Sequence, residues 1–441
     1  MKPALTFALC IIASLTLNPR PSHASPPAAL ADLIRQARAH DAALAASAAD
    51  VVARERARDV ESGALWPRLE ATVGYTRNQH DATAVFPDGA GTRSVTITPF
   101  DQLEANVRLS IPLLDLGRRA RIDATDVRIA GTRDALNDQT RRTDELVSSA
   151  YYQAVFAAAR KAIAQAELLS SQDRLKRISA RQEAGFANPL EHATATAEVE
   201  RARRSSSDAD FDLESARRDL ARLTGLPTDV IPIEPSPPPP VSLDLSSLLA
   251  KVDTLPVIRA ANAEVTALRR EAQAARLDLV PTIDAFVADR LTNASGFGEA
   301  NTISAGITAR FALDLPILRR DDELMARARA SELRVEATRR EARLRIERLH
   351  LEYDNRRLRI PAAQAELVAR ELAVNEATSR LREGAATPLD LALAERDRLA
   401  ARLELARTEA ELGLTQVLLT LAAGLDPIAS FNEPVPAGDP R

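Results

Sequence analysis

The chain has 441 residues, with 58 Lys and Arg against 62 Asp and Glu, a net charge of −4 and only 3 % aromatic residues. That balance gives no basic footprint for nucleic acid, and so few aromatics exclude an ordinary large globular core anchored by rings. A single cysteine excludes a disulfide framework, a cysteine metal site and thiol chemistry in the exported chain.

Residues 1–24 read as a secretory signal peptide. Lys2 supplies the positive end, and Ala4 to Leu17 is an apolar run too short for a membrane span. Ser22-His23-Ala24 then offers small residues for cleavage after Ala24. Cys10 lies in the apolar run behind Leu9, where a lipid-anchor signal needs a small residue, so it reads as a discarded signal residue. Loss of Lys2 and Arg20 with the leader takes the net charge from −4 to −6 and leaves Lys161, Lys176 and Lys251 as the mature lysines. No mature run of 18 apolar residues exists, so no spanning helix is expected, whereas a membrane barrel stays open.

Residues 25–226 form a first repeat. Ala28 to Ser62 has helical periodicity, closed by Gly63 and Trp66-Pro67. The period then changes to two. Leu69, Ala71, Val73 and Tyr75 alternate with polar residues over 68–78, and Leu103, Ala105, Val107, Leu109 and Ile111 do so over 103–111. These are strands of membrane-crossing length with one apolar face. The Gly/Thr/Asp/Pro stretch Gln79 to Gln102 reads as a loop between them. From Asp115 to Glu183 a helix is expected, with Ile122, Ile129, Leu136, Thr143, Ala150 and Ala157 seven apart in a coiled-coil seam. A second helix runs back to about Thr224.

Residues 227–244, with Pro237-Pro238-Pro239-Pro240, read as an extended proline-rich linker. Residues 245–427 then repeat the plan. A helix spans Leu245 to Leu277, indented by Pro256; strands are expected at 282–290 and 303–314. A long helix follows, with Leu324, Ala328, Ser331, Val335, Thr338 and Ala342 on one stripe. The return helix carries Leu399, Leu403, Ala406, Ala410, Leu414, Val417 and Leu421. Pro361 has no counterpart near Ala162 and predicts a break or irregular turn at Arg359–Pro361. Residues 428–441 read as a disordered tail.

Each long hairpin turns in one short segment: Gly185-Phe186-Ala187-Asn188-Pro189-Leu190-Glu191 and Gly384-Ala385-Ala386-Thr387-Pro388-Leu389-Asp390. Gly caps the incoming helix in the left-handed conformation, and Pro opens the outgoing one. The two segments lie 199 residues apart and carry a carboxylate six residues after each Gly.

Taken together, the duplication, the Pro-started strand pairs, the Leu-Asp-Leu segments (Leu114 to Leu116 and Leu313 to Leu315) and the paired tips resemble the TolC-like outer membrane efflux protein family. The resemblance implies a mainly α fold with a membrane β-barrel part. Long antiparallel coiled-coil hairpins would form a periplasmic tunnel, and four strands per chain would enter a trimeric twelve-stranded barrel. It implies a passive exit duct in the outer membrane, a homotrimer in lipid that works with a periplasmic adaptor and an inner-membrane transporter of an efflux or type I secretion system. By position, Glu191 and Asp390 are carried over as pore and gate carboxylates. Gly185, Phe186, Ala187, Pro189, Leu190, Gly384, Ala385, Ala386, Pro388 and Leu389 are carried over as adaptor-docking tips. Physics supports the trimer separately, since four strands cannot close and an open edge in lipid leaves backbone groups unpaired.

Blander readings stand beside these. Glu191 and Asp390 also suit the first turn of a helix, where acids complement the macrodipole. An exported coiled-coil adaptor or scaffold is the alternative, although such a protein carries one hairpin with strand-rich flanks, not two hairpins. His40, His80, His192 and His350 have no ligand spacing, no phosphate-binding loop follows a strand, and no catalytic constellation is present. No enzyme, cofactor, metal or nucleic-acid partner is expected.

Overall fold

The computed structural model describes residues 30–89, 91–229, 244–311 and 315–426. The expected signal peptide and tail lie outside the described residues, as do most of the linker and the last part of the strand expected at 303–314. Elements run α1 (Leu30–His40), α2 (Ala42–Gly63), β1 (Arg68–Arg77), β2 (Ala82–Asp88), β3 (Gly91–Thr98), β4 (Asp101–Leu114), α3 (Leu116–Glu183) and α4 (Pro189–Thr224). After the linker come α5 (Leu245–Leu249), a 3-10 turn (Val252–Thr254), α6 (Pro256–Leu277), β5 (Thr282–Thr292), β6 (Asn301–Arg310), α7 (Leu315–Arg382) and α8 (Pro388–Ala422).

Four strands form one antiparallel sheet in the order β1-β4-β5-β6. Register explains why both strand pairs alternate: Leu69 faces Leu109, Leu109 faces Val287, and Val287 faces Ala305. The alternating aliphatic positions therefore fall on one side of the sheet, where Val73 is 76 % and Ile307 72 % exposed. A face of bare aliphatic side chains is stable only against lipid or another apolar surface. The other face carries Glu70, Glu104, Arg108 and Arg290, with Arg290 paired to Glu104 at 2.7 Å. β1 and β6 leave both sheet edges open.

Below the sheet, α3 and α7 are 68 residues each, about 100 Å at 1.5 Å per residue. The seam residues Ile122, Ile129, Thr143 and Ala157 are buried in α3, as are Leu324, Ala328, Ser331 and Val335 in α7. α3 packs on α6 over its upper half, held by Arg121–Asp278 at 2.8 Å and Arg128–Glu264 at 3.3 Å, and on α4 over its lower half. Gly131 permits the α3–α6 approach, because a Cβ there would sit 2.8 Å from that of Ala263. At mid-length the two halves meet: Leu33, Ile34, Val147, Leu220 and Leu421 share one buried cluster, and Ile258, Ile346 and Leu419 a second.

The structure corrects several expectations. Gln79 to Gln102 is not a plain loop: β2 and β3 pair as a hairpin beyond the sheet. Phe86 meets Phe297 edge to face at 5.0 Å, packing that hairpin on the β5–β6 connection. The first helix divides at Asp41, whose side chain accepts the Ala43 N–H at 2.8 Å and starts α2. The helix expected over Leu245 to Leu277 likewise divides at the 3-10 turn before Pro256. β4 is longer than 103–111, reaching Leu114 past an irregularity at Pro112. β6 is described only to Arg310.

No break occurs at Pro361; α7 runs through it. The ring lies on an exposed face, and α8 splints the helix on either side. Arg359 pairs with Glu404 at 2.7 Å, and beyond the proline Arg402 pairs with Glu371 at 3.0 Å. Arg356 also donates to the Thr415 hydroxyl. Tertiary ties thus offset the lost hydrogen bond.

Candidate functional site

The two hairpin tips are near copies in backbone. In the first, Gly185 has φ +78°, its N–H donates to the Gln182 carbonyl at 2.9 Å, and the Phe186 N–H donates to the Arg181 carbonyl at 2.7 Å. In the second, Gly384 has φ +73°, its N–H reaches the Leu381 carbonyl at 3.2 Å, and the Ala385 N–H reaches the Arg380 carbonyl at 2.8 Å. Both are Schellman endings, which need a residue tolerant of positive φ. Pro189 and Pro388 then occupy the first helical positions of α4 and α8.

The side chains diverge. At the second tip, Thr387 and Asp390 cap each other: Asp390 Oδ2 accepts the Thr387 N–H at 2.8 Å, and the Thr387 hydroxyl accepts the Asp390 N–H at 3.3 Å. This capping box satisfies two otherwise orphaned donors. The hydrogen bond from the Thr387 backbone, aided by its hydroxyl, holds the Asp390 carboxyl below the usual carboxylate range. At the first tip, Asn188 accepts the Glu191 N–H at 3.0 Å, but the Glu191 carboxylate gives nothing back. Its Oε2 is shielded from water and has no hydrogen-bond partner among the described residues. Of the two candidate pore carboxylates, Asp390 is engaged in its own cap and Glu191 is not.

Around these turns, Phe186 is 75 %, Leu190 72 % and Leu389 63 % exposed. Gly185, Pro189, Gly384, Ala385 and Pro388 are exposed as well, while Ala187 and Ala386 are half-buried.

One residue invisible to the sequence reading joins the two hairpins. Arg174, in the last third of α3, pairs with Glu198 of α4 at 2.8 Å and with Glu395 of α8. Its side chain is 14 % exposed, as is that of Glu395. Each partner sits on a separate helix, so no local spacing could reveal the set. Among the described residues no group of His, Cys, Asp and Glu is placed to hold a metal ion.

A sheet with one bare apolar face, continued by long helical hairpins, defines a channel-forming protein of the outer membrane with a periplasmic helical tunnel. The family described as Outer membrane efflux protein matches residues 33–226 and 254–425, one stretch in each repeat. The chain belongs to that family. It is an outer-membrane efflux channel, a transport protein rather than an enzyme. The match across two repeats sets aside the adaptor alternative.

Solved structures agree in fold. The outer membrane protein VceC of Vibrio cholerae is 17 % identical with a TM-score of 0.73, covering 90 % of this chain and 96 % of that one. The outer-membrane channel OprN is 21 % identical with a TM-score of 0.72 over 90 % and 89 %. CusC is 17 % identical with a TM-score of 0.73 over 90 % and 92 %. No curated protein matches. Members of the family form trimeric channels that act in efflux assemblies.

Proposed function

We propose that three copies of this chain form one exit duct, closed at its periplasmic end by the paired tips. A periplasmic adaptor and an inner-membrane transporter would open it. The observation that carries this reading is the Arg174 junction, which fastens one hairpin to the other beside the tips. Closure then depends on a few ion pairs, and opening needs only their exchange for contacts with a partner. Phe186, Leu190 and Leu389, exposed at the far end of 100 Å-scale helices, suit an apolar partner surface.

Copy-to-copy packing is supported by α7. Leu344, Leu351, Leu358 and Leu372 keep heptad phase and are all exposed in the single chain, a seam without its partner helix. Threefold closure of two repeats gives a quasi-sixfold tip. Glu191 and Asp390 would there form a cation-attracting, anion-repelling ring.

The test is twofold. In an outer-membrane fraction the protein should migrate as a heat-modifiable trimer; a soluble periplasmic monomer would refute the duct. In planar bilayers the double variant Glu191→Ala/Asp390→Ala should change single-channel conductance and cation block. Unchanged values would remove the carboxylate ring from the account.

A further inference from the structure

The polar face of the sheet holds a feature that duct formation alone does not explain. Arg108 on β4 stands directly opposite Glu70 on β1 in register, the obvious ion-pair partner. No such pair forms. The Arg108 guanidinium instead lies over the ring of Phe286 on β5, 4.1 Å from its centroid. Phe286 is placed by Gly306 on β6, its register partner: a Cβ at Gly306 would come within 3.1 Å of the ring. The missing side chain thus makes room for the aromatic platform, and the platform carries the cation.

Among the described residues Arg108 makes no hydrogen bond or ion pair, so its five N–H donors stay open. Its neighbour Arg290 differs, being spent on Glu104 at 2.7 Å. Because the apolar face must meet lipid, the face with Arg108 and Phe286 lines the lumen once the sheet closes. Three copies would set three such guanidinium groups at one height of the barrel.

We infer that Arg108, held over the ring of Phe286 beside Gly306, is a contact for anions passing through the barrel, carboxylate- or phosphate-bearing cargo included. This rests on the duct reading. A guanidinium suits the role because it presents a planar donor fork and stacks without losing its charge. Stacking holds the group away from Glu70, so that the cation is offered to the lumen and not neutralised. The station would oppose the tip: carboxylates favour cations at the periplasmic end, and Arg108 favours anions in the membrane.

The test is the chloride-to-potassium permeability ratio of the full-length trimer in planar bilayers under a KCl gradient. Glu191→Gln/Asp390→Asn serves as background, so that the tip carboxylates do not mask the barrel. Arg108→Gln should lower the ratio about twofold or more, since a ring of like charge sets the local ion concentration. Phe286→Leu should lower it in the same direction, because the guanidinium, without its platform, falls back to Glu70 although every charge remains. Glu70→Gln should leave the ratio unchanged or raise it. Channels of normal conductance whose ratio ignores both Arg108→Gln and Phe286→Leu would overturn the inference and leave the duct standing. A shift with Arg108→Gln alone would overturn the platform's part in it. Failure of the unaltered protein to form any channel would overturn the duct reading and this inference with it.

Discussion

The two repeats follow one plan and differ where the plan is put to use. Their long helices are equal at 68 residues, their tips share a Schellman ending and a proline start, and their strands lie side by side in one sheet. Yet α3 runs without proline where α7 carries Pro361. The first tip has a half-capped start and a free carboxylate, and the second a complete capping box. β1 and β4 are joined through a long hairpin, whereas β5 and β6 are joined by a short connection. Shared features satisfy backbone hydrogen bonding and cannot vary much. Differences sit on the outer strand connections and on side chains facing solvent, lumen or another chain, where function is chosen.

The largest expected effect tests why only one long helix tolerates proline. Ala162→Pro in α3 should destabilise the trimer by about 3 kcal/mol, because it removes a helical hydrogen bond where the nearby ties to α4, Arg160–Asp212 and Lys161–Asp210, lie only before the new proline, whereas Arg359–Glu404 and Arg402–Glu371 flank Pro361 on both sides. The reverse change, Pro361→Ala, should raise the temperature at which the detergent-resistant trimer dissociates. Equal tolerance of proline in both helices would show that the ties around Pro361 do not matter.

A smaller effect separates the caps. Asn188→Ala and Thr387→Ala should each cost about 1 kcal/mol locally. Only the second also removes a hydroxyl that donates to a carboxylate, Thr387 to Asp390 at 2.7 Å, so hydrogen exchange near Asp390 should rise more than near Glu191. Equal responses would erase the difference between the tips.

The smallest concerns pH. Asp390 has its pKa lowered in the folded state, so its stabilising contribution is full above the ordinary aspartate value and is lost as pH falls through the lower folded value. The second tip should therefore keep its protease resistance from pH 7 to about 4, the ordinary aspartate range, and lose it only below. Loss well above that range would contradict the cap.

Much of this was legible in the chain. Alternation at Leu69 to Tyr75 and Leu103 to Ile111 marks strands because a sheet with one lipid face must alternate, and the seven-residue spacing from Ile122 to Ala157 marks a seam. The Gly and Pro of each tip are read directly from backbone requirements. What escaped lacks a local signature. β2 and β3 have no core to enforce strict alternation, although Asp88-Gly89 and the β-branched run from Val95 to Thr98 were available as hairpin signals. Pro361 misled because propensity is local, whereas the Arg359 and Arg402 ties come from α8. Arg174 is one of many arginines on charged helices; only the fold brings Glu198 and Glu395 to it.

That junction is also where the account is most exposed. Single-channel recording of Arg174→Glu, which places a third carboxylate beside Glu198 and Glu395, should show a resting conductance well above that of the unaltered channel. Adding Glu395→Arg restores an opposite-charge pair across α3 and α8 and should return conductance toward the original value. Resting conductance that is the same in all three proteins would contradict the claim that this junction holds the tips closed.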